Sequence, residues 1–315
     1  MDQQEPYKIL SLFDGISCAQ LAIDALGVKN YVYYSSEIDK FAQQITLKNF
    51  PATKLVGDIT KLDSTNNAYN APLILIGGSP CQNLSSRGNK KGLKGEKSSL
   101  FFEYIRVLND TKPKYFLLEN VGSMSIKNRE IITCEIRKVR EQSPGDSKSL
   151  TSGGGLNGVK CIKINSSKFV PQTRRRYYWT NIPFIESDLP PQEVNTTVQS
   201  LLQERVDDKY YYNEHNKTRS FDVNSYNSNP KADLNIARTL KTQSYTGRAG
   251  VDNCYHTTYQ PPDKTNLRKL TPIEYERLQG IPDNYTFGLS DTQRYKTIGN
   301  SFTVPVIQWF LKYIF

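Results

Sequence analysis

Along the first half of the chain, short apolar runs alternate with stretches whose apolar residues recur three and four apart. KILSLFD (8–14), YVYYSSE (31–37), LVGDI (55–59), LILIGG (73–78) and YFLLENV (115–121) are too short for buried helices and predict strands. AQLAIDAL (19–26), DKFAQQITLKNF (39–50) and FFEYIRVLND (101–110) carry the helical spacing. A further helix is predicted at CEIRKVREQ (134–142), followed by the loop SPGDSKSLTSGGGLNG (143–158), another strand and PQTRRRYYW (171–179). This alternation predicts an α/β fold, a parallel sheet covered by helices on both faces. Ligands of such sheets bind at the carboxyl ends of the strands. Asp14, Glu37, Asp58, Cys81 and Glu119 all fall at or just beyond those ends.

The pattern changes between 187 and 262, where Tyr, Asn, Thr and Ser dominate and long helical periodicity disappears. That stretch is expected to be a small second domain, inserted in a first domain made of 1–186 and 263–315. TPIEYERLQG (271–280) predicts a helix capped by Thr271, with Pro272 in its first turn and Gly280 as its stop. VPVIQWFLKYIF (304–315) is apolar enough for a core helix.

Composition narrows the function classes. The 315 residues are 37% hydrophobic and contain no apolar run of the ~18 residues that a membrane helix needs. The start, MDQQEPYKIL, lacks the charged-then-apolar pattern of a signal peptide, so the protein is expected inside the cell. Five cysteines without a CxxC pair, and only two histidines, make neither a zinc site nor any other metal site an expectation. A net charge of +10 points to a polyanionic partner. Ser85 to Ser99 concentrates it, with Arg87, Lys90, Lys91, Lys94 and Lys97 against Glu96 alone. Two readings stay open for that glycine-containing segment: a loop that closes on phosphates, or a solvated basic loop.

Several motifs carry chemistry. SLFDGISCAQ (11–20) is a strand, a glycine turn and a helix, which suits either a ligand at a helix N-terminus or a plain tight turn. Glu37 stands where an acid hydrogen-bonds ribose hydroxyls, and Asp58 where one can accept from an adenine amino group. Either acid alone reads more readily as a surface carboxylate; both, in register with the glycine turn, point to an adenosyl cofactor. No GxxxxGK[ST] occurs, which argues against a P-loop. In GGSPCQNLS (77–85), a Pro-Cys turn by itself reads more readily as structural, but here Pro80 stiffens a strand-end turn that presents Cys81, and the cationic segment beyond can favour thiolate. Glu119, at the end of an apolar strand in LLENV, is costly to bury ionised and is expected to donate a hydrogen bond as the acid. In PQTRRRYYW, alternation puts Arg174 and Arg176 on one strand face and Arg175 on the other; a plain basic strand edge is the other reading.

Taken together, the motifs resemble the cytosine-5 DNA methyltransferase family, in the family's order and over nearly the whole chain. The matches are FDG, the Glu37 and Asp58 strand ends, SPCQ, ENV, QxRxR, RxLTPxExxRLQGxP (268–282) and IGNSFTVPV (298–306). GGSPC, LFFEYIRVL and RRRYYW are also similar to the catalytic domain of the animal de novo enzymes, although a compact bacterial or phage type fits better. The resemblance implies a Rossmann-like, S-adenosylmethionine-dependent methyltransferase domain with a smaller target-recognition domain at 187–262. It implies a DNA (cytosine-5-)-methyltransferase in which the Cys81 thiolate adds to C6 of a flipped-out cytosine. Glu119 would contact N3 and the exocyclic amine, while Arg174 and Arg176 would hold the base oxygen and the loop or backbone.

Carried over residue by residue, the cofactor contacts are Phe13, Asp14, Gly15, Glu37, Ile38, Asp58, Ile59, Pro80, Asn300 and Ser301. Gln82, Ser85 and Arg87 would approach DNA. RTLKTQS (238–244) resembles the family's Thr-Leu element, here Thr239 and Leu240, with Arg238, Lys241, Gln243, Tyr245 and Arg248 as groove readers. Two departures stand out: Ser17 replaces a usual glycine, and Ile38 replaces a tryptophan that stacks on adenine. The implied partners are double-stranded DNA and a cognate restriction endonuclease, for a monomer in the cytoplasm of a bacterial or phage-infected cell, away from membranes. Two alternatives remain. An RNA-directed member would carry a Cys-Phe-Thr element that is not found here. A silent DNA-binding homologue would not be expected to keep Cys81, Glu119 and Arg176 together.

Overall fold

The apolar runs become strands β1 (Tyr7–Leu12), β2 (Tyr31–Ser36), β4 (Ile74–Gly78) and β5 (Tyr115–Val121). The periodic stretches become helices α1 (Cys18–Ala25), α2 (Lys40–Asn49), α3 (Glu96–Thr111) and α4 (Ile126–Glu141). The computed structural model describes residues 5–80, 96–141, 158–213, 232–240 and 253–315. The strand expected at 55–59 shrinks to β3 (Lys54–Leu55), because Gly57 turns left-handed at φ 76° and Asp58 caps a 3-10 turn at Ile59–Lys61.

Among the described residues, seven strands form one sheet in the order β3-β2-β1-β4-β5-β7-β6, where β6 is Lys160–Asn165 and β7 is Arg175–Thr180. Strands β1 to β5 pair in parallel, as the alternation predicts, but β7 is antiparallel to both β5 and β6. The sheet is therefore mixed rather than wholly parallel. The connection from β6 to β7 is shorter than the dozen or so residues that a parallel crossover requires. The chain runs outward from β1 through β2 to β3, then restarts at β4 on the other side. That reversal makes the crevice beyond β1 and β4 the topological switch point, where ligands of doubly wound sheets bind.

One face of the sheet packs Leu10, Leu12, Leu75, Phe116, Leu118 and Trp179 against Phe101, Tyr104, Ile132 and Ile136 of α3 and α4. Burying each such side chain contributes roughly 1.5–3 kcal/mol. Gly77 makes the approach of α3 possible, since a Cβ there would stand 2.8 Å from the Tyr104 ring.

The chain divides into two compact units: Met1–Asn165, Arg175–Ile185 and Ile307–Phe315, and Ser166–Arg174 with Glu186–Val306. In the first, the C-terminal tail returns to the sheet, with Phe310 5.1 Å from Tyr178 and Phe315 5.7 Å from Tyr7 by ring centroids. Residues 263–306, grouped by the sequence with the first domain, cluster with the second unit. There, α5 (Pro272–Leu278) is tied to the preceding segment by Arg277 Nη1 on the Leu201 carbonyl at 2.7 Å and by the Gln203 amide on Glu274 at 2.8 Å.

Thr271 caps α5 as predicted, in a reciprocal capping box with Glu274. Glu274 is at the same time ion-paired with Arg268 at 2.7 Å, the two side chains being 1% and 0% exposed. Glu276 pairs with Arg294 of α6 (Asp291–Asn300) at 3.1 Å and accepts from the amides of Asn284 and Thr286. Gly280 ends the turn after α5 at φ 70°, and a Cβ there would stand 2.4 Å from Cδ of Pro305. No helix among the described residues is long and apolar enough to cross a membrane.

Candidate active site

After β1 the backbone turns left-handed three times, at Phe13 (φ 55°), Gly15 (φ 61°) and Ser17 (φ 57°). Asp14 holds this turn from inside. The residue is 3% exposed, and its carboxylate accepts from Ser17 Oγ at 2.5 Å, Tyr33 OH at 2.6 Å and Ser35 Oγ at 2.8 Å. Burial pushes its pKa up, and the hydroxyl donors oppose that rise. Asp14, expected among the cofactor contacts, therefore spends its carboxylate on the turn itself. Ser17 sits where the resemblance led one to expect glycine, and its φ explains why glycine suits the position. Its hydroxyl offsets the strain with bonds to Asp14 and, at 2.8 Å, to Thr46.

Glu37, past the end of β2, accepts from the Gly15 amide at 2.8 Å and from the amides of Ile38 and Asp39 at 2.7 and 2.8 Å. A carboxylate offers about four acceptor positions, so roughly one remains for a ligand hydroxyl. Asp58 accepts from the Thr60 amide at 2.9 Å, and that bond foremost holds its pKa below the ordinary carboxylate value. Ile38 is 71% exposed, an apolar side chain turned to solvent beside these acids, whereas Ile59 is 4% exposed and packs in the core.

At the far side of the switch point, Glu119 in β5 meets Arg176 in β7. Their Oε1 and Nε lie 2.6 Å apart, with side chains 13% and 14% exposed. Arg176 stands opposite Val121 in the ladder, so it reaches Glu119 diagonally on one face. Gly122 lets the strands close up: its amide donates to the Arg175 carbonyl at 3.0 Å, where a Cβ would come within 2.6 Å of that oxygen. Glu119, expected to be costly to bury ionised, thus has a guanidinium as counter-charge. Arg174 precedes β7 rather than sharing its face. It is 4% exposed and donates to the carbonyls of Gly299 and Ser301 at 3.2 and 2.9 Å, fixing the turn at Asn300 and Ser301. Asn300 itself is exposed, while the Ser301 hydroxyl donates to the Ile298 carbonyl at 2.8 Å.

Sequence reasoning missed Asn120. It is 1% exposed and its amide donates to Ser79, at 3.0 Å to the hydroxyl and 3.3 Å to the carbonyl, tying the end of β5 to the turn that leads into Pro80. The signal was the ENV motif, read for its glutamate alone. Cys81, Gln82, Ser85 and Arg87 lie outside the described residues.

The C-5 cytosine-specific DNA methylase model matches residues 7–315. The chain belongs to this DNA methylase family. A Type II methyltransferase of Lactococcus lactis subsp. cremoris, M1.ScrFI, is 31% identical over 96% of this chain and 76% of its own. M.NlaX of Neisseria lactamica is 31% identical over 96% and 94% of the two chains. The methyltransferase EhMeth of Entamoeba histolytica, 20% identical, superposes with a TM-score of 0.75 over 99% of this chain and 98% of its own, a likeness of fold. As a cytosine-5 DNA methyltransferase, the protein requires a methyl donor.

The residues present fit an adenosyl donor. An exposed apolar side chain at Ile38, an open acceptor position on Glu37 and the part-exposed Asp58 carboxylate lie beyond neighbouring strands. Of the methylase's expected DNA readers, Leu240 is 2% exposed and Thr239 donates to the Thr173 carbonyl at 2.5 Å, so both anchor their segment. The Arg238 amide donates to Asn253 at 2.8 Å. Lys241, Gln243, Tyr245 and Arg248 lie outside the described residues.

Proposed function

We propose that this chain transfers a methyl group from S-adenosylmethionine to C5 of a cytosine flipped out of duplex DNA, with Cys81 as covalent nucleophile. What supports this most is the largely buried Glu119–Arg176 pair, on the strand end whose next residue, Asn120, anchors the turn before Cys81. The bound donor supplies the electrophilic methyl group. Phe13, Gly15, Glu37, Ile38, Asp58 and Pro80 would hold it; Asn300 and Ser301 join them on the family resemblance.

Cytosine C5 is a weak nucleophile, so the ring needs activation. The Cys81 thiolate adds to C6, which makes C5 enamine-like; after methylation, loss of the C5 proton expels the thiolate. Glu119, taking up a proton as the base enters, donates to N3 and accepts from the exocyclic amine, which stabilises the charge that develops as sulfur adds. Arg176 holds Glu119 through Nε and its own strand through Nη1, which leaves Nη2 for the base oxygen. Flipping the base costs a few kcal/mol, which the cations from Arg87 to Lys97 offset on the phosphates.

Residues 187–262 serve target recognition, and 1–186 with 263–315 serve binding and catalysis. A cognate restriction endonuclease, a monomeric state and the cytoplasm of a bacterial or phage-infected cell complete the reading. Incubation of the protein with labelled donor and either duplex DNA or tRNA tests it. Label in DNA alone is expected, and label in tRNA alone overturns it. Bisulfite sequencing of DNA from expressing cells then gives the target.

A further inference from the structure

Outboard of the Glu119–Arg176 pair, α4 and strands β6 and β7 line a cavity of about 700 Å3. Tyr177 directly follows Arg176 in β7 and therefore faces the other side of the sheet. Around its ring stand two cations, Arg129 Cζ at 5.5 Å and Lys163 Nζ at 5.2 Å from the centroid. Arg137 joins them, and its Nε is buried without a hydrogen-bond partner among the described residues. Lys138 is neutralised by Glu135 at 2.7 Å. Arg129, Arg137 and Lys163 have no such ion pair among the described residues. Glu130 and Glu141 line the cavity as well, so these three cations face two carboxylates and leave a modest excess of positive charge for an anion to neutralise.

We propose that this cavity binds the phosphodiester backbone of the DNA substrate, to one side of the target base. The proposal rests on the reading of the protein as a DNA methyltransferase, and adds a contact beyond the catalytic edge. Arg129 and Arg137 are eight residues apart in α4, about 12 Å along the axis at ~1.5 Å per residue. A DNA strand advances about 3.4 Å per phosphate, so the two guanidiniums span a run of roughly three or four phosphates rather than one. Lys163 pairs with Tyr177 in the ladder, and Tyr177 with Asn120 beside Glu119. The cations thus begin one to two strands, some 5–10 Å, across the sheet from the catalytic pair and on the sheet's opposite face. A duplex that reaches them from that pair passes over the strand ends to the α4 side of the sheet.

The test compares the parent with an Arg137→Gln/Lys163→Gln variant on two duplexes sharing one target, a short one ending just beyond it and a long one running on. For the long duplex, the variant's Kd should weaken, and the slope of log affinity against log salt should fall by about 0.9 for each lost phosphate contact. Binding of the short duplex and methyl transfer at saturating DNA should not change. Equal salt slopes for parent and variant on the long duplex overturn the site. The parent gives an independent readout, because the exposed Cys134 opens on the same cavity. The long duplex should slow its alkylation, read by peptide mass. Protection by inorganic phosphate but not by duplex overturns DNA as the ligand. A parent that methylates no duplex at all would instead defeat the methyltransferase reading, which the first assay reports separately.

Discussion

Replacing Arg176 by alanine removes the guanidinium that lies 2.6 Å from Glu119 and leaves a carboxylate only 13% exposed without its counter-charge. A hydrogen bond to a charged group contributes about 1.5–3 kcal/mol. If that bond positions Glu119 for the transition state, its loss slows methyl transfer roughly 10- to 150-fold, at ~1.36 kcal/mol per tenfold. The assay is single-turnover transfer to duplex DNA with donor and DNA saturating, so that binding defects do not intrude. Two controls separate catalysis from folding. Arg175→Ala, next in the strand but exposed, should match the parent. Arg176→Ala combined with Glu119→Gln should regain thermal stability, because no unpaired charge remains, yet should not regain activity. The reasoning is refuted if Arg176→Ala transfers methyl at the parent rate, or if the double variant regains both properties.

Other outcomes follow from the buried charges and turns. Asp14→Asn tests the pH response: the folded pKa lies above 3.8, so the stabilisation tied to Asp14 is complete below that value and is lost as pH rises through the folded one. The parent-minus-variant unfolding free energy should therefore decline with rising pH above 3.8, and a flat or rising difference contradicts the assignment. Arg268→Met strands the buried Glu274 and should cost about 3–5 kcal/mol in denaturant unfolding, with part of it returned by adding Glu274→Gln. Gly280→Ala forces a Cβ to 2.4 Å from Pro305 at φ 70°, and should lower the urea midpoint by the equivalent of at least about 1–3 kcal/mol.

The order of strands and helices was legible in the first half of the chain because burial on both sheet faces leaves uninterrupted apolar runs. Strand direction was not, since RRRYYW reads the same in either sense; the short link from β6 sets β7 antiparallel. Local backbone decided the shortfall at β3, where Gly57 and Asp58 divert the chain. At the site, sequence placed Glu37, Asp58 and Glu119 at strand ends, and the structure puts them there. It could not tell which carboxylates turn inward. Asp14 turns inward because Tyr33 and Ser35 on the next strand present hydroxyls to it, a cross-strand match invisible to motif reading. Glu274 and Glu276 look like solvent-facing charges in TPIEYERLQG, and are buried only because Arg268 and Arg294 come to meet them. Arg174 and Arg176, read as one face, are separated by the start of β7 between them.

The central claim is that Cys81 bonds covalently to the cytosine ring. Mixing the protein with duplex DNA carrying 5-fluorocytosine at the target and with methyl donor tests it directly, because fluorine at C5 blocks the release of sulfur. The parent should give a protein–DNA band that survives denaturing electrophoresis, and Cys81→Ala should give none. A stable adduct with Cys81→Ala, or none with a parent that methylates ordinary DNA, would contradict the account.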